Sequence, residues 1–294
     1  MMRGYSQMIY KDIAFCTLNE GYIEPAIVSI TSFARFNRTI NLICYLEKGG
    51  DYSRLVDALR PYKNISFKEI EFPSDSVFEY CGGRWLLIPR QGMPAISARI
   101  QILEELAKEY DRIINFDIDT LFCNTIGRLL AVADDQHVYG VDEKANRLKW
   151  IEALQLTEWI RGECYFNTGF CLYGGKLIRE RVRYTGYIKA MESTPERYNC
   201  PEQDYLNSIL LDSYVKIRPS YNMLFQDKDY TNVSPIMIHF YGIDKPWKRY
   251  AVFTGKNGFY NTRYLNAVYG CECWLSNDFV ANVIRNCDRN AVLY

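Results

Sequence analysis

Strand-like apolar runs alternating with helical stripes constrain the first 120 residues of this 294-residue chain more than any other feature. Asp12–Thr17 reads as a strand with Ile13 and Phe15 on one face, Thr39–Leu46 as a second and Ile65–Phe72 as a third. Ile113-Ile114 marks a fourth that ends at Asp117. Between the first two strands, Ala26, Ile27, Ile30, Phe33 and Ala34 recur at helical period, with Pro25 in the first turn where its missing N–H is harmless. Tyr52–Arg60 reads as a helix, and Ile100, Leu103, Leu106, Ala107 and Tyr110 form another helical stripe. Such alternation implies a mostly parallel α/β sheet flanked by helices. Pro73–Pro94, with Gly82-Gly83 and Pro89, reads as a long loop and a candidate lid. Beyond Asp119 the pattern loosens. Val138–Asp142 and Cys164–Tyr173 read as strands, Lys176–Met191 as a helix, and Pro201 opens a helix carrying Gln203. After Trp247 comes an aromatic-rich tail without a readable fold.

Chemistry enters where the fourth strand ends, at Asn115-Phe116-Asp117-Ile118-Asp119-Thr120. Strand alternation aims residues i and i+2 the same way, so Asp117 and Asp119 are expected to converge at the carboxyl end of a strand, where open α/β sheets bind ligands. Two facing carboxylates repel unless a cation lies between them, and oxygen pairs suit Mg²⁺ or Mn²⁺. Two solvated loop aspartates are the alternative. A second strand-like run, Ile236-Met237-Ile238, delivers His239, one of two histidines in the chain. Imidazole beside two carboxylates favours Mn²⁺ over Mg²⁺. Gly242 allows close backbone approach to a ligand, and Lys245 adds a cation three residues later. A metal on Asp117, Asp119 and His239 with Lys245 beside it makes a receptacle for a diphosphate. A core histidine followed by a surface lysine is the bland reading of the same string.

The Asp-x-Asp and the His239-Phe-Tyr-Gly242-Ile-Asp-Lys245-Pro246-Trp247 block together resemble glycosyltransferase family 8, the retaining enzymes that include glycogenin and the lipopolysaccharide galactosyltransferases. Ala14–Tyr22 looks like the family's first strand and uridine loop, Tyr165-Phe-Asn167-Thr-Gly169-Phe170 like its Tyr-Phe-Asn-x-Gly segment, and Glu202-Gln203-Asp-Tyr-Leu-Asn207 like its Asp-Gln-x-x-Leu-Asn segment. Each motif alone is weak; five in order are specific. The likeness implies a GT-A fold over residues 1–250, with a nucleotide-binding half at about 10–122 and a smaller acceptor half at 123–250, followed by an extension at 251–294. It implies uridine diphosphate contacts from Cys16, Thr17, Asn19, Tyr22, Ile118, Gly242 and Lys245. Arg99, Asn167, Gly169, Glu202 and Gln203 would meet the donor sugar. Gln203, Lys245 and Asp119 would carry catalysis, with Gln203 on the far face of the anomeric carbon. Retention needs a covalent intermediate or same-face attack, and a glutamine is a poor nucleophile, so the same-face route is favoured. Glu202 stands where the family usually has aspartate, which leaves selection among donor hydroxyls open.

The implied function is a metal-dependent retaining hexosyltransferase moving glucose or galactose from a UDP-sugar to a glycan or glycolipid hydroxyl. A self-glycosylating primer protein, with 24 tyrosines to choose from, and a non-catalytic UDP-sugar-binding module are the alternatives. A haloacid-dehalogenase phosphatase would need threonine four residues beyond its first aspartate, whereas Thr120 comes at three. A pyrophosphorylase would need a glycine-rich loop after the first strand, and none follows Thr17. Charges balance, 35 against 35, which argues against a nucleic-acid partner. No long apolar run follows Met1-Met2-Arg3, so a cytoplasmic protein is expected, with peripheral contact at the inner face of the membrane compatible with that location. The ten scattered cysteines read as buried thiols. Cys271, Cys273 and Cys287 lack zinc-site spacing.

Overall fold

The structure, a computed structural model, describes residues 9–72, 93–143, 164–193, 198, 200–224, 234–242, 245–248 and 258–291. Its centre is a seven-stranded mixed sheet in the order β3-β2-β1-β4-β7-β6-β8, where β1 is Asp12–Leu18, β2 Leu42–Glu47, β3 Ile65–Ile70, β4 Arg112–Phe116, β6 Val138–Asp142, β7 Phe166–Gly174 and β8 Tyr214–Lys216. The first four are mutually parallel, as the strand–helix alternation requires. β7 runs antiparallel to both β4 and β6. The strand order therefore sets β7, from the carboxyl-terminal half, directly against β4 from the amino-terminal half, in one sheet. A smaller sheet, β5-β10-β9, contains β5 Thr120–Phe122, β9 Met223–Leu224 and β10 Met237–His239.

Alternation in β1 divides the core. Ala14, Cys16 and Leu18 face the layer built on α1, Ile23–Phe36, and α2, Ser53–Leu59. Ile13 and Phe15 face the layer built on α3, Met93–Leu106. That second layer also holds α5 (Gly175–Arg181), α6 (Tyr184–Ser193) and α7 (Pro201–Leu210). A four-residue helix, α4 (Gly127–Leu130), follows β5. The single helix expected over Lys176–Met191 is broken at Val182-Arg183, where Val182 leaves helical geometry (φ −96°, ψ 125°) and buries its side chain. The lid expected over Pro73–Pro94 lies outside the described residues except for Met93 and Pro94, which open α3.

The unreadable tail folds as α8, Gly258–Tyr269, and α9, Asn277–Ala291. Its apolar positions sit at helical spacing, with Tyr264 and Val268 buried on α8 and Phe279 and Val283 on α9. These faces cover Phe240 and Trp247. Among the described residues no helix is long and apolar enough to cross a membrane.

Candidate active site

β4 does not carry both aspartates by alternation. It ends at Phe116, the chain turns through Ile118-Asp119, and β5 restarts at Thr120 in the second sheet. The turn, rather than the pleat, brings the carboxylates together. Three hydrogen bonds hold it: Asp117 N–H to the Gly169 carbonyl (2.9 Å), the Thr120 hydroxyl to the Asp117 carbonyl (2.6 Å) and Phe240 N–H to the Asp119 carbonyl (2.9 Å). Below it, Phe33, Phe116 and Phe122 pack with ring centroids 5.0–5.1 Å apart, one stacked and two edge-on pairs. Rings buried this way contribute roughly 1.5–3 kcal/mol each and make a stiff floor. The second sheet places His239 opposite Thr120, in antiparallel register. A ligand atom from each of Asp117, Asp119 and His239 then lies within 4.8 Å of the others.

His239 Nε2 is 3.4 Å from Asp117 Oδ2 and 3.2 Å from Asp119 Oδ1. The second approach lacks hydrogen-bond alignment, so Asp119 Oδ1 is buried without a hydrogen-bond partner. On the ring's other side Nδ1 lies 3.1 Å from Asn222 Oδ1, and Asn222 Nδ2 donates to Asn167 Oδ1 at 2.7 Å. That chain of amides orients Asn222 so that Nδ1–H donates to it. A ring that gives up its Nε2 proton to a cation then offers that lone pair to the carboxylates' side. An orphaned carboxylate oxygen, a second carboxylate and an oriented imidazole are a donor set that fits a divalent cation.

Electrostatics is dense here. Burial opposes charge on Asp117, but Arg99 beside it holds the carboxyl below the usual range. Burial likewise opposes charge on Asp119, yet Lys245, paired with its Oδ2, and His239 drive the carboxyl far down. Burial pushes His239 down, but Asp119 and Asp117 outweigh it and raise the imidazole to about 9. Lys245 is 6 % exposed and also donates to the Phe240 carbonyl. The lysine expected beside a diphosphate is thus held on a carboxylate of the triad. Arg99 bridges Asp117 to Glu202, whose Oε2 lies 4.0 Å from Nη1. Burial raises Glu202, against the pull of Arg99, to about 7, and its Oε1 has no hydrogen-bond partner.

These shifts predict a pH dependence for the metal-free protein. His239 titrates above the ~6.5 of a free imidazole, so its ion-pair stabilisation is complete below that value and is lost as pH rises through about 9. Asp117 and Asp119 are depressed, so theirs is present above about pH 4 and lost on acidification. In chelator the thermal midpoint should fall between about pH 7 and 9, and His239→Gln should flatten that limb. An unaltered alkaline limb in the variant would refute the charge assignment.

A polar network runs from the triad to Gln203. Asn167 Oδ1 accepts from Asn222 and from Gly169 N–H (2.8 Å), while its Nδ2 donates to Glu143 Oε2 at 2.6 Å. Gln203 Nε2 donates to the same Glu143 oxygen (3.2 Å) and to Tyr165 OH (3.0 Å). Thr168 N–H donates to Gln203 Oε1 at 2.9 Å, and the Thr168 hydroxyl reaches Glu202 Oε2 at 2.9 Å. Gln203 sits in the first turn of α7, which Pro201 opens as expected.

The family likeness implies Gly169 at the donor sugar; the structure shows that Gly169 also makes room for His239. A Cβ at Gly169 would overlap the imidazole ring and crowd Asn167 Oδ1 at 2.8 Å. In the first loop, Thr17 is buried with its hydroxyl unpartnered. The Asn19 side chain accepts from Gly21 N–H, and Tyr22 is half-buried. Burial, then the charges of Asp119 and Asp117, raise the Tyr22 phenol, which marks it as a neighbour of the acidic pair. The Cys16 side chain points into the core, in register with Cys44 on β2, so it can offer a ligand only its backbone. Ile118 is half-buried against the core. Gly242 has φ 80°, which only glycine adopts at little cost.

Asn222, Glu143 and Thr168 were not singled out from the sequence. Glu143 stands one residue beyond the polar end of a strand, next to Asp142, on which the signal that drew attention to His239 falls. Asn222, between Tyr221 and Met223, gives no local signal.

A model of the family described as glycosyl transferase family 8 matches residues 13–251. The chain belongs to glycosyltransferase family 8. It is 22% identical over 253 residues to an Escherichia coli (strain K12) lipopolysaccharide 1,2-glucosyltransferase, covering 80% of this chain and 72% of that protein. The fold superposes with a TM-score of 0.60 on the galactosyltransferase LgtC in complex with donor and acceptor sugar analogues, at 19% identity, over 88% of this chain and 95% of that one. The bifunctional glycosyltransferase WbbM aligns with 97% of this chain at a TM-score of 0.58 and 15% identity, while the chain spans about half (53%) of its length. The expected GT-A architecture is thus borne out. As a family member related to lipopolysaccharide glucosyltransferases, the chain is a hexosyltransferase.

Proposed function

We propose that this hexosyltransferase is metal-dependent and retaining, and that it moves glucose or galactose from a UDP-sugar to a hydroxyl of a cell-envelope glycan or glycolipid. The observation that carries the reading is the Asp117–Asp119–His239 cluster, with its orphaned Asp119 oxygen and its imidazole oriented by Asn222. Mn²⁺ is the favoured ion because the donor set mixes imidazole with carboxylates, with Mg²⁺ as second choice. When bound, the ion would supply Lewis-acid neutralisation of a departing diphosphate. Asp117, Asp119 and His239 would hold it. The names of the curated relatives support glucose and a lipopolysaccharide-type acceptor, which in turn supports a cytoplasmic protein working at the membrane face.

The chain's own residues divide the remaining work. On leaving Asp119 for the nucleotide, Lys245 would set a second positive charge against the departing phosphate. The first loop, through Thr17, Asn19 and Tyr22, would receive the uridine, with Ile118 and Gly242 adding backbone contacts; the influence of Asp119 and Asp117 on the Tyr22 phenol supports this reading. Arg99 would keep Asp117 ionised and fix Glu202 toward the sugar hydroxyls. Residues 1–250 would form the catalytic unit.

A thermal-shift panel of UDP-sugars with Mn²⁺ or chelator tests the reading. A ligand at 100 times its dissociation constant adds about 2.7 kcal/mol. Stabilisation by a UDP-hexose only with metal is the expected result; equal shifts in chelator would overturn metal dependence.

Two substitutions probe individual roles. Lys245→Ala should lower turnover by more than it weakens donor binding, because the charge matters most as the phosphate leaves. Normal turnover in the variant would leave Lys245 as a structural counter-ion of Asp119. Gln203→Ala should cut turnover about 10- to 100-fold, about 1.4 to 2.8 kcal/mol, with UDP binding nearly unchanged and product retaining the α configuration. A β-linked product, read from proton coupling constants, would contradict the retaining assignment.

A further inference from the structure

The segment carrying Lys245 is held from outside the part of the chain that matches the family. Lys245-Pro246-Trp247-Lys248 forms a turn in which Lys248 N–H donates to the Lys245 carbonyl at 3.0 Å. On α9 the buried face reads Phe279, Val283, Asn286, spaced i, i+4, i+7. An asparagine at the third place of an apolar stripe is costly, and here its amide donors are what find partners. Asn286 is 1 % exposed, and its Nδ2 donates to the carbonyls of Pro246 (2.8 Å) and Lys248 (2.9 Å). The Trp247 ring between those carbonyls stacks on Phe279 at 6.2 Å and leans on Tyr264 of α8 at 5.4 Å. Tyr264 also packs edge-on against Phe240, whose carbonyl receives the Lys245 ammonium. The helical pair is itself tied to α1 by Ser276 N–H on the Glu24 carboxylate (2.6 Å) and by Arg35 on the Gly270 carbonyl (3.5 Å). Both ends of the Lys245 environment, its backbone turn and its carbonyl partner, therefore rest on α8 and α9.

We propose that the α8–α9 pair is a clasp that fixes Lys245 at the reaction centre, with Asn286 as its positioning residue. The inference rests on the reading of Lys245 as the cation facing the leaving diphosphate. Asn286 touches no reacting atom; it acts by holding two carbonyls so that the lysine stem leaves the turn in one direction. A long, flexible side chain with four rotatable bonds gains most from such fixing, because the entropy of ordering it is lost before the reaction begins.

The full-length chain with Mn²⁺ and UDP-glucose provides the test, read by UDP release and by hydrogen exchange at the Lys248 amide. Asn286→Leu keeps the branched shape and removes the donors; it should speed Lys248 exchange and lower kcat at least about tenfold, with KM for the donor within about twofold, a split that a general loss of folding does not produce. In a Lys245→Ala background the same substitution should cost nothing further in kcat, since the residue acts only through the lysine. Equal losses in the two backgrounds, or unchanged Lys248 exchange, would overturn the proposal. Should leucine prevent folding, Asn286→Ser, too short to reach both carbonyls, takes its place. A wild-type chain that releases no UDP would count against the functional reading instead, and the exchange measurement would still decide whether the clasp exists.

Discussion

Asp119→Asn is expected to abolish the metal-dependent part of UDP binding, a loss of at least about 100-fold in affinity, or ~2.7 kcal/mol, while the protein stays folded. The structural reason is that Asp119 serves two sides at once. Its Oδ2 pairs with Lys245, and its Oδ1 is buried with no hydrogen-bond partner beside His239 Nε2. Asparagine keeps the volume, and its amide oxygen still accepts from Lys245, so packing around the turn survives. What disappears is the negative charge that a divalent ion needs. Titration calorimetry with UDP, in Mn²⁺ and in chelator, reads this directly. A variant that retains the difference between the two conditions would show that the metal is held elsewhere.

Gly169→Ala is expected to weaken the same binding from a residue that ligates nothing. The added Cβ would occupy the space of the His239 ring, which is held on its other side by Asn222. β7 cannot recede, because the Gly169 carbonyl accepts from Asp117 N–H and the Gly169 N–H donates to Asn167 Oδ1. The ring must move, and overpacking of this kind costs typically about 1–3 kcal/mol. Metal-dependent UDP binding should fall at least about tenfold, 1.4 kcal/mol. Gly140→Ala is the control. Its Cβ would meet Cys171 Sγ and Phe166 Cβ at 3.2 Å, far less severely and among apolar neighbours. If Gly169→Ala binds UDP and Mn²⁺ as wild type does, His239 is not seated by this glycine.

Much of the site was legible because strand ends advertise themselves locally. Polar residues directly after apolar runs exposed Asp117, Asp119 and His239, and Pro201 announced the helix that presents Gln203. The same rule, applied to Val138–Asp142, points to Asp142 and only by its neighbour to Glu143. Local pattern misled where the chain changes partners. Asp117 and Asp119 looked like neighbours on one face of a strand, whereas Asp117 closes the large sheet and Asp119 precedes β5 of the small one. Lys176–Met191 reads as one periodic helix, yet it breaks where Val182 turns inward.

The sequence by itself determined the parallel half of the sheet, the two faces of β1, the order of the motifs and the identity of the three candidate ligands. These depend on side-chain chemistry and on periods of two or 3.6 residues, which are properties of a few consecutive positions. Tertiary structure alone decided that Asn222 orients His239, that Gly169 makes room for the ring, that Lys245 rests on Asp119, and that an apparently featureless tail grips the Lys245 turn. Each of those facts joins segments far apart in the chain through a single side chain or a missing one. Such pairings are set by sheet register and helix packing, and they leave no trace in the spacing of neighbouring residues.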